Sequence, residues 1–400
     1  MELDFITDNA IIYVLIAWVG IFITAKVLKL EKYGFTIKPY SLTYKNYKVQ
    51  SALTRLLGRT KRGIRVFADV SVIAGFLMMG FAFWFLFSNI ANFFLEPTEF
   101  AELTVLIPGV TLTSASAILY FLLSIPIVLV MHEGAHGIVA TLEKIKIKTG
   151  GFAIFIAMFA GFVEPDEEEF DKAKKVSRLR VIGAGATSNV LFAFVLGAIL
   201  LTNPLFAMIL PEPFLGWFYE SPDGVLVLSV IEGGGAEKAG IKENDIITNI
   251  DGVRIISPMD FQKVDLKPGE TVDVVILRDD QEILFPITIM PSPDDPERGL
   301  VGIMRDNNLS FKPIYNFIEW SNPHVSMFLL WLWMISFFIG IINMLPLPIL
   351  DGGKFIHTII DKKISEKAVN GTMMTVYAFT FIIFGLNIGL SYMKSGWFTI

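Results

Sequence analysis

Cysteine is absent from this 400-residue chain. Its absence excludes a disulfide framework, a thiolate nucleophile and any zinc site built on sulfur, and leaves the redox compartment unread. Histidine is scarce, at four residues, so each one is worth placing. Charge is scarce too: 18% of the residues are Asp, Glu, Lys or Arg, against about 25% in an average soluble chain. The formal net charge of -6 offers no basic footprint, which argues against nucleic-acid binding. What fills the gap is apolar: 53% of the chain is hydrophobic, with 35 Phe and 15 Met. That composition argues for membrane helices and against a soluble enzyme or a disordered tail.

A bilayer core of about 30 Å takes about 20 mostly apolar residues to cross. Six stretches qualify: Ala10–Leu28, Val66–Leu95, Ala115–Leu142, Val181–Leu201, Val325–Leu347 and Met373–Leu390. The first does not read as a cleavable signal peptide, because Glu2, Asp4 and Asp8 stand where a positive region belongs. Pro204–Phe218 is apolar but broken by Pro211 and Pro213, and reads as interfacial.

Lysine and arginine in short loops set orientation. Residues Lys29 to Arg65 are dense in them, Glu96 to Ser114 has none, Lys144 to Arg180 is dense again, and Lys354, Lys362, Lys363 and Lys367 follow the fifth span. The odd loops are therefore expected on the cytoplasmic side. Both termini and the long Thr202–Asn322 segment are expected on the opposite side.

From about Ser221 to Pro293 the chain changes character. Short β-branched runs alternate with Gly, Asp and Pro turns, as in a small β-rich domain. Gly224–Val230 reads as a strand, Ala236–Gly240 as a short helix stopped by glycine, and Asp245–Gly252 as a strand entering a turn. Thr271–Leu277 and Glu282–Ile289 read as a hairpin around Arg278-Asp279-Asp280-Gln281. The string Ala236-x-x-Ala239-Gly240-Ile241-x-x-x-Asp245-x-Ile247, then Asp251-Gly252, then Lys267-Pro268-Gly269-Glu270, resembles a PDZ domain of the bacterial protease type. The resemblance implies a peptide groove beside Gly224, Val225, Leu226 and Val227, with main-chain pairing along a sheet edge. The same fold used only as a plug stays open, because fold does not prove function.

The third span holds His132-Glu133-Gly134-Ala135-His136. At 3.6 residues per turn the two histidines share one helix face. Two imidazoles so placed can grip one zinc, and the adjacent carboxylate can take a proton from water. Ionisable groups inside a membrane helix are costly, so three in one turn need a joint reason. Zinc catalysis wants a third protein ligand. Asp351 qualifies, within Asn343-Met344-Leu345-Pro346-Leu347-Pro348-Ile349-Leu350-Asp351-Gly352-Gly353. Two prolines there forbid helix, and irregular backbone at membrane depth is tolerated only against protein or a water-filled cavity. An ordinary loop with a solvated Asp is the competing reading.

Together these strings resemble the site-2 proteases, which are intramembrane zinc metalloproteases. The family carries H-E-x-x-H on one membrane helix, matched by His132, Glu133 and His136. Its N-x-x-P-x-x-x-x-D-G is matched by Asn343, Pro346, Asp351 and Gly352, and its G-x-x-x-N by Gly185 and Asn189. The resemblance implies a membrane α protein: six transmembrane helices with a three-helix metalloprotease core, a re-entrant β-hairpin and one soluble β-rich PDZ domain. The expected division is 1–110 for two leading helices and a basic loop, 111–203 and 322–356 for the two parts of the core, 219–305 for the PDZ domain, and 357–400 for the sixth helix and tail. His132, His136 and Asp351 would hold Zn2+, and Glu133 would be the base. Asn343, Asn189 and Gly185 would position substrate or oxyanion, although membrane asparagines also serve helix–helix hydrogen bonds.

Ala115 to Met131 would carry His132 about 25 Å along its helix, toward the cytoplasmic side. The run Glu143 to Val163 reads as a hairpin dipping into the membrane edge, and the resemblance implies that its edge, with Phe152, Ala153, Ile154 and Phe155, pairs with the unwound substrate. A cytoplasmic hairpin without substrate contact is the alternative. The expected partners are transmembrane protein substrates and the lipid bilayer, not nucleic acid, and oligomeric state is not legible. A catalytically silent binding or chaperone protein competes with the protease reading, but it has no need to keep Glu133 beside both histidines. A zinc transporter ranks below both, since Ala115–Met131 offers only Ser116, Tyr120 and Ser124 as polar residues.

Overall fold

The computed structural model describes residues 10–156, 158–210, 212–220, 223–279, 281–292, 299–305, 312–315, 318, 320, 322–361 and 365–396. Glu2, Asp4 and Asp8, and also Pro211, Ser221, Asp280, Lys362 and Lys363, lie outside the described residues. The chain divides into two compact units, one of residues 1–196 with 327–400 and one of residues 197–326.

Among the described residues five helices are long and apolar enough to cross a membrane: Thr60–Leu95, Ala115–Leu142, Lys175–Leu200, Pro323–Asn343 and Glu366–Lys394. The sixth expected span is the shorter apolar helix α1 (Ala10–Val27). Helix α2 (Val49–Leu95) starts earlier than expected and bends at Thr60, where φ is -133°. The Thr60 hydroxyl donates to the Leu56 carbonyl, a back-bond that bends helices, and Gly58 and Gly63 flank it. Helix α3 (Ala115–Leu142) is capped by Ser114, whose hydroxyl accepts from the Ala117 N–H.

A four-stranded antiparallel sheet follows the order β1 (Phe35–Lys38), β2 (Ser41–Asn46), β3 (Ile147–Phe155), β4 (Met158–Pro165). The expected hairpin is its second half. Its first half comes from the basic loop, where Leu42 faces Ile154 and Tyr44 faces Phe152. A short helix α4 (Glu167–Lys172) leads into α5 (Lys175–Leu200), the most buried of the long apolar helices. Lipid tails give no hydrophobic drive between helices, so close approach of small residues must hold them. A Cβ on Gly183 would lie 2.5 Å from the Ser71 carbonyl oxygen, and one on Gly340 would lie 2.9 Å from that of Ala186. Glycine at both places lets α2 and the later helix α8 (Pro323–Asn343) come against α5.

After the end of α5, the second unit continues with a 3₁₀ turn at Pro204–Met208 and the short helix α6 (Glu212–Phe218). A two-residue strand β5 (Tyr219–Glu220) follows. The β-rich domain then comprises β6 (Val225–Val230), α7 (Gly235–Ala239), β7 (Ile246–Ile250), β8 (Val253–Arg254), β9 (Thr271–Arg278) and β10 (Gln281–Thr288). It ends in β11 (Met290–Pro291), β12 (Gly299–Leu300), β13 (Ile303–Arg305) and β14 (Lys312–Pro313), the last paired with β5. Its main sheet runs β10-β9-β7-β6-β13, with the expected hairpin pairing Leu277 with Glu282. Gly240 ends α7 at φ 98°, a conformation side chains resist. Val227, Ile247, Ile250, Val274, Ile276 and Ile287 are fully buried in the core. Each such burial is worth roughly 1.5–3 kcal/mol. Arg278 grips Asp245 through two bonds of 2.6 Å. Burial alone would raise the Asp245 carboxyl, but this guanidinium and the Lys242 N–H hold it below the usual carboxylate range.

Candidate active site

Helix α3 puts His132 and His136 one turn apart, their rings edge to face with centroids 4.8 Å apart. The third group arrives by a different route. Helix α8 stops at Asn343, as Pro346 and Pro348 require, and the chain folds back before α9 (Asp351–Ile360). Asp351 opens α9, where the helix dipole favours a carboxylate. The two glycines after it serve close packing. A Cβ on Gly352 would lie 2.1 Å from the Met344 carbonyl oxygen, and one on Gly353 would lie 2.3 Å from that of Leu347. The turn is thus folded against its own backbone, which fixes where Asp351 points.

Asp351 Oδ2 lies 3.1 Å from His132 Nε2 and 3.1 Å from His136 Nε2, and the two ring nitrogens are 3.1 Å apart. His132 and Asp351 are buried. Three ligand atoms at the corners of so small a triangle fit one zinc, whose bonds of about 2.0–2.2 Å set its ligand atoms about 3.4 Å apart in a tetrahedron. A second observation points the same way. A Cβ on Gly185 of α5 would lie 2.3 Å from His136 Nε2 and 2.7 Å from His132 Nε2. The missing side chain of Gly185 leaves open the space on which both ring nitrogens converge. Helix α5 also touches both rings from behind. His136 Nδ1 is 2.7 Å from the Val181 carbonyl oxygen, and Asn189 Nδ2 is 3.1 Å from His132 Nδ1. Asn189 is fully buried, and its Oδ1 has no hydrogen-bond partner among the described residues.

Glu133 sits beside this cluster on the wall of a cavity of about 780 Å³, together with His136 and Asp351. Its Oε2 accepts the backbone N–H of Val163 at 2.9 Å. The opposite wall is strand β4, from Ala160 to Pro165. Gly161 passes Glu133 so closely that a Cβ there would be 3.3 Å from Glu133 Cγ. Lys354, one turn into α9, lines the mouth with its Nζ 4.0 Å from Asp351 Oδ1. Neither Lys354 nor Val163 stood out in the sequence. The signal for Lys354 was its place three residues after the acid on a helix.

Two expected edges are corrected. Phe152, Ala153, Ile154 and Phe155 do not form a free edge: Ile154 pairs with both Leu42 and Phe159, and Ala153 with both Thr43 and Ala160. β1 and β2 cover that side, so the open edge of the sheet is β4, while Ala153 and Phe155 still line the cavity. In the β-rich domain, Gly224, Val225, Leu226 and Val227 do not form an open strand edge. Val225 and Leu226 pair with β7, Val227 pairs with Arg305, and a Cβ on Gly224 would lie 2.1 Å from the Ile247 carbonyl oxygen. A cavity of this domain, about 490 Å³, lies along Gly299–Ile303 and is faced by Phe261 and Val264. The Arg305 guanidinium lies 4.4 Å over the Phe261 ring. Asn343 ends α8 half-buried, and the wall of the active-site cavity does not include it.

Apolar helices around a His-His-Asp cluster with an adjacent glutamate define a membrane protein with a metallopeptidase-like site. Residues 120–384 match peptidase family M50. The chain belongs to that family, the site-2 proteases, whose members are zinc metalloproteases. It is 26% identical over 258 residues to an uncharacterised protein of Methanocaldococcus jannaschii, covering 64% of this chain and 60% of that one. It is 27% identical over 247 residues to the probable protease Eep of Enterococcus faecalis, covering 50% of this chain and 54% of that one. The chain thus spans less than two thirds of the length of these relatives. Among solved structures, the PDZ domain of an SdrC-like protein of Listeria monocytogenes is 26% identical, with a TM-score of 0.21, covering 22% of this chain and 95% of that one.

Proposed function

We propose that this chain is an intramembrane zinc endopeptidase that hydrolyses peptide bonds within membrane-spanning segments of other proteins. The convergence of His132 Nε2, His136 Nε2 and Asp351 Oδ2 at 3.1 Å carries this reading. Bound zinc would supply Lewis acidity at the scissile carbonyl and lower the pKa of water. Glu133 accepts the proton of the attacking water and returns it to the leaving amine. The Val163 N–H holds the Glu133 carboxylate in place for both transfers. A membrane helix hides its peptide groups, so the substrate has to unwind before it is cut. The free edge of β4 then satisfies the exposed backbone, as strand addition does elsewhere. The lysine and arginine distribution supports a site near the cytoplasmic side, with the β-rich domain opposite.

The direct test uses purified protein and a single-pass substrate in detergent, with metal analysis on the same sample. Cleavage should follow zinc: lost on chelation, restored by adding zinc back. Zinc-loaded protein that leaves several membrane substrates intact would favour a silent binding protein, and protein that never takes up zinc would sink the reading.

We further infer that the β-rich domain works as a PDZ domain, taking an extended peptide along β13. The motif string and the cavity between β13 and Phe261 support this. Phe261→Ala should weaken binding of short peptides with apolar ends about tenfold, which is ~1.4 kcal/mol, with zinc content unchanged. Equal peptide affinity in wild type and variant would count against the groove.

A further inference from the structure

Val181, Gly185 and Asn189 stand four residues apart on α5, two turns of one helix face. Opposite them, His132 and His136 stand one turn apart on α3. The two faces meet in register. The Val181 carbonyl meets His136 Nδ1, Gly185 lies under both Nε2 atoms, and the Asn189 amide meets His132 Nδ1. We propose that α5 is a ruler with two acceptor oxygens, fixing both imidazoles in the one tautomer that leaves Nε2 free to bind metal. The proposal rests on the zinc-peptidase reading and adds Asn189 to it as a positioning residue.

For His136 the structure already shows the arrangement. A carbonyl oxygen can only accept, so Nδ1 carries the proton and Nε2 keeps its lone pair. His132 is the informative case. As placed, the Asn189 amide nitrogen donates to His132 Nδ1. That would force the ring proton onto Nε2, where Asp351 Oδ2 and His136 Nε2 both stand at 3.1 Å. A protonated Nε2 cannot be a ligand. The two ends of an amide have nearly the same shape, and the Asn189 Oδ1 now has no partner among the described residues. Turning the amide by half a revolution brings that oxygen to His132 Nδ1. The hydrogen bond survives with its direction reversed, and both Nε2 lone pairs then face the space above Gly185. Metal-binding histidines generally donate their other N–H to an oxygen in this way.

The ruler is anchored at Asn189. Ser336 of α8 donates to the Asn189 carbonyl at 2.8 Å, and Ser188 donates to the Met131 carbonyl at 3.1 Å. Ser188 shares its single proton with the Gly185 carbonyl at 2.7 Å, so the Ser336 bond from α8 is the firmer hold on α5 beside His132. The four-residue step of the Gly185 and Asn189 motif follows as well, since clearance for the metal and the oxygen for the ring are needed one turn apart.

The test compares Asn189→Leu, which removes the acceptor at similar size, with Asn189→Asp, which keeps an oxygen. Zinc affinity is measured by competition with a chelator. Side-chain 15N spectra of the four histidines are recorded on zinc-loaded protein. Asn189→Leu should weaken zinc binding about 10- to 100-fold. Asn189→Asp should stay within a few-fold of wild type, and zinc-loaded wild type should show His132 protonated at Nδ1. A residue serving only as helix glue would change thermal stability without this rescue. Wild-type zinc affinity in Asn189→Leu, or an unprotonated His132 Nδ1 in zinc-loaded wild type, would overturn the ruler alone. Wild-type protein that takes up no zinc would overturn the ruler together with the reading beneath it.

Discussion

Gly185→Ala is expected to abolish zinc binding, and cleavage with it, in a protein that still folds. The added methyl carbon would sit 2.3 Å from His136 Nε2 and 2.7 Å from His132 Nε2, distances real Cβ atoms do not adopt. Something would have to move, and α5 cannot easily be the part that does. Gly183 already rests against the Ser71 carbonyl, and Ala186 and Val190 rest against Gly340. The imidazoles would therefore swing off their common point, and the methyl would fill the space they left. Secondary structure should not suffer, since alanine favours helix over glycine by about 0.8–1 kcal/mol. Zinc affinity should fall at least ~100-fold, well beyond the usual effect of an outer contact. Gly134→Ala is the matched control. It lies in the same His132–His136 turn and has nothing within 4 Å of an added Cβ, so zinc binding should be unchanged. A Gly185→Ala protein that binds zinc like wild type would show that the two rings do not meet over α5.

What could be read from the sequence depended on how far apart the cooperating residues are. His132, Glu133 and His136 were legible because a helix turn is local, and four residues decide who faces whom. Asp351 lies 215 residues from His136 and carries no local sign of its partners. The prolines and glycines around it marked a carboxylate able to turn inward, and the resemblance to a family then paired it with the histidines. The two edge assignments failed for one reason. Alternation marks a strand, but whether a strand is an edge depends on what pairs with it, and pairing is not local. Leu42 faces Ile154 across more than a hundred residues of chain, with α2 and α3 between them. The alternation in Phe35–Lys38 and Ser41–Asn46 was available as a signal and was read only as a basic loop. Asn189 is a different case. The resemblance implied a substrate-positioning role for it, and the structure instead places its amide nitrogen 3.1 Å from His132 Nδ1.

Glu133→Gln should reduce cleavage about 10²- to 10⁴-fold, the usual worth of a positioned base, without disturbing zinc. The reason lies in what the substitution keeps. Glu133 uses Oε2 to accept the Val163 N–H at 2.9 Å, and glutamine still has an oxygen for that bond. Its Cγ stays packed against Gly161. What glutamine lacks is the ability to take up a proton and release it again. The loss should fall on kcat, with KM little changed, because β4 and the cavity wall still receive the substrate. Metal content at the wild-type level together with lost turnover would assign the proton transfers to Glu133. Full turnover would move the base elsewhere, to one of the other titratable groups on the cavity wall, Lys45, Glu164, Glu167, Asp171 or Lys354. Val163→Pro asks the complementary question. The Val163 N–H points at Glu133 and away from β3, so proline removes that bond while leaving the β3 ladder in place. Turnover should fall there too, by less than in Glu133→Gln, since the carboxylate remains and only its aim is lost. That ordering would separate the chemistry of the carboxylate from the strand that aims it.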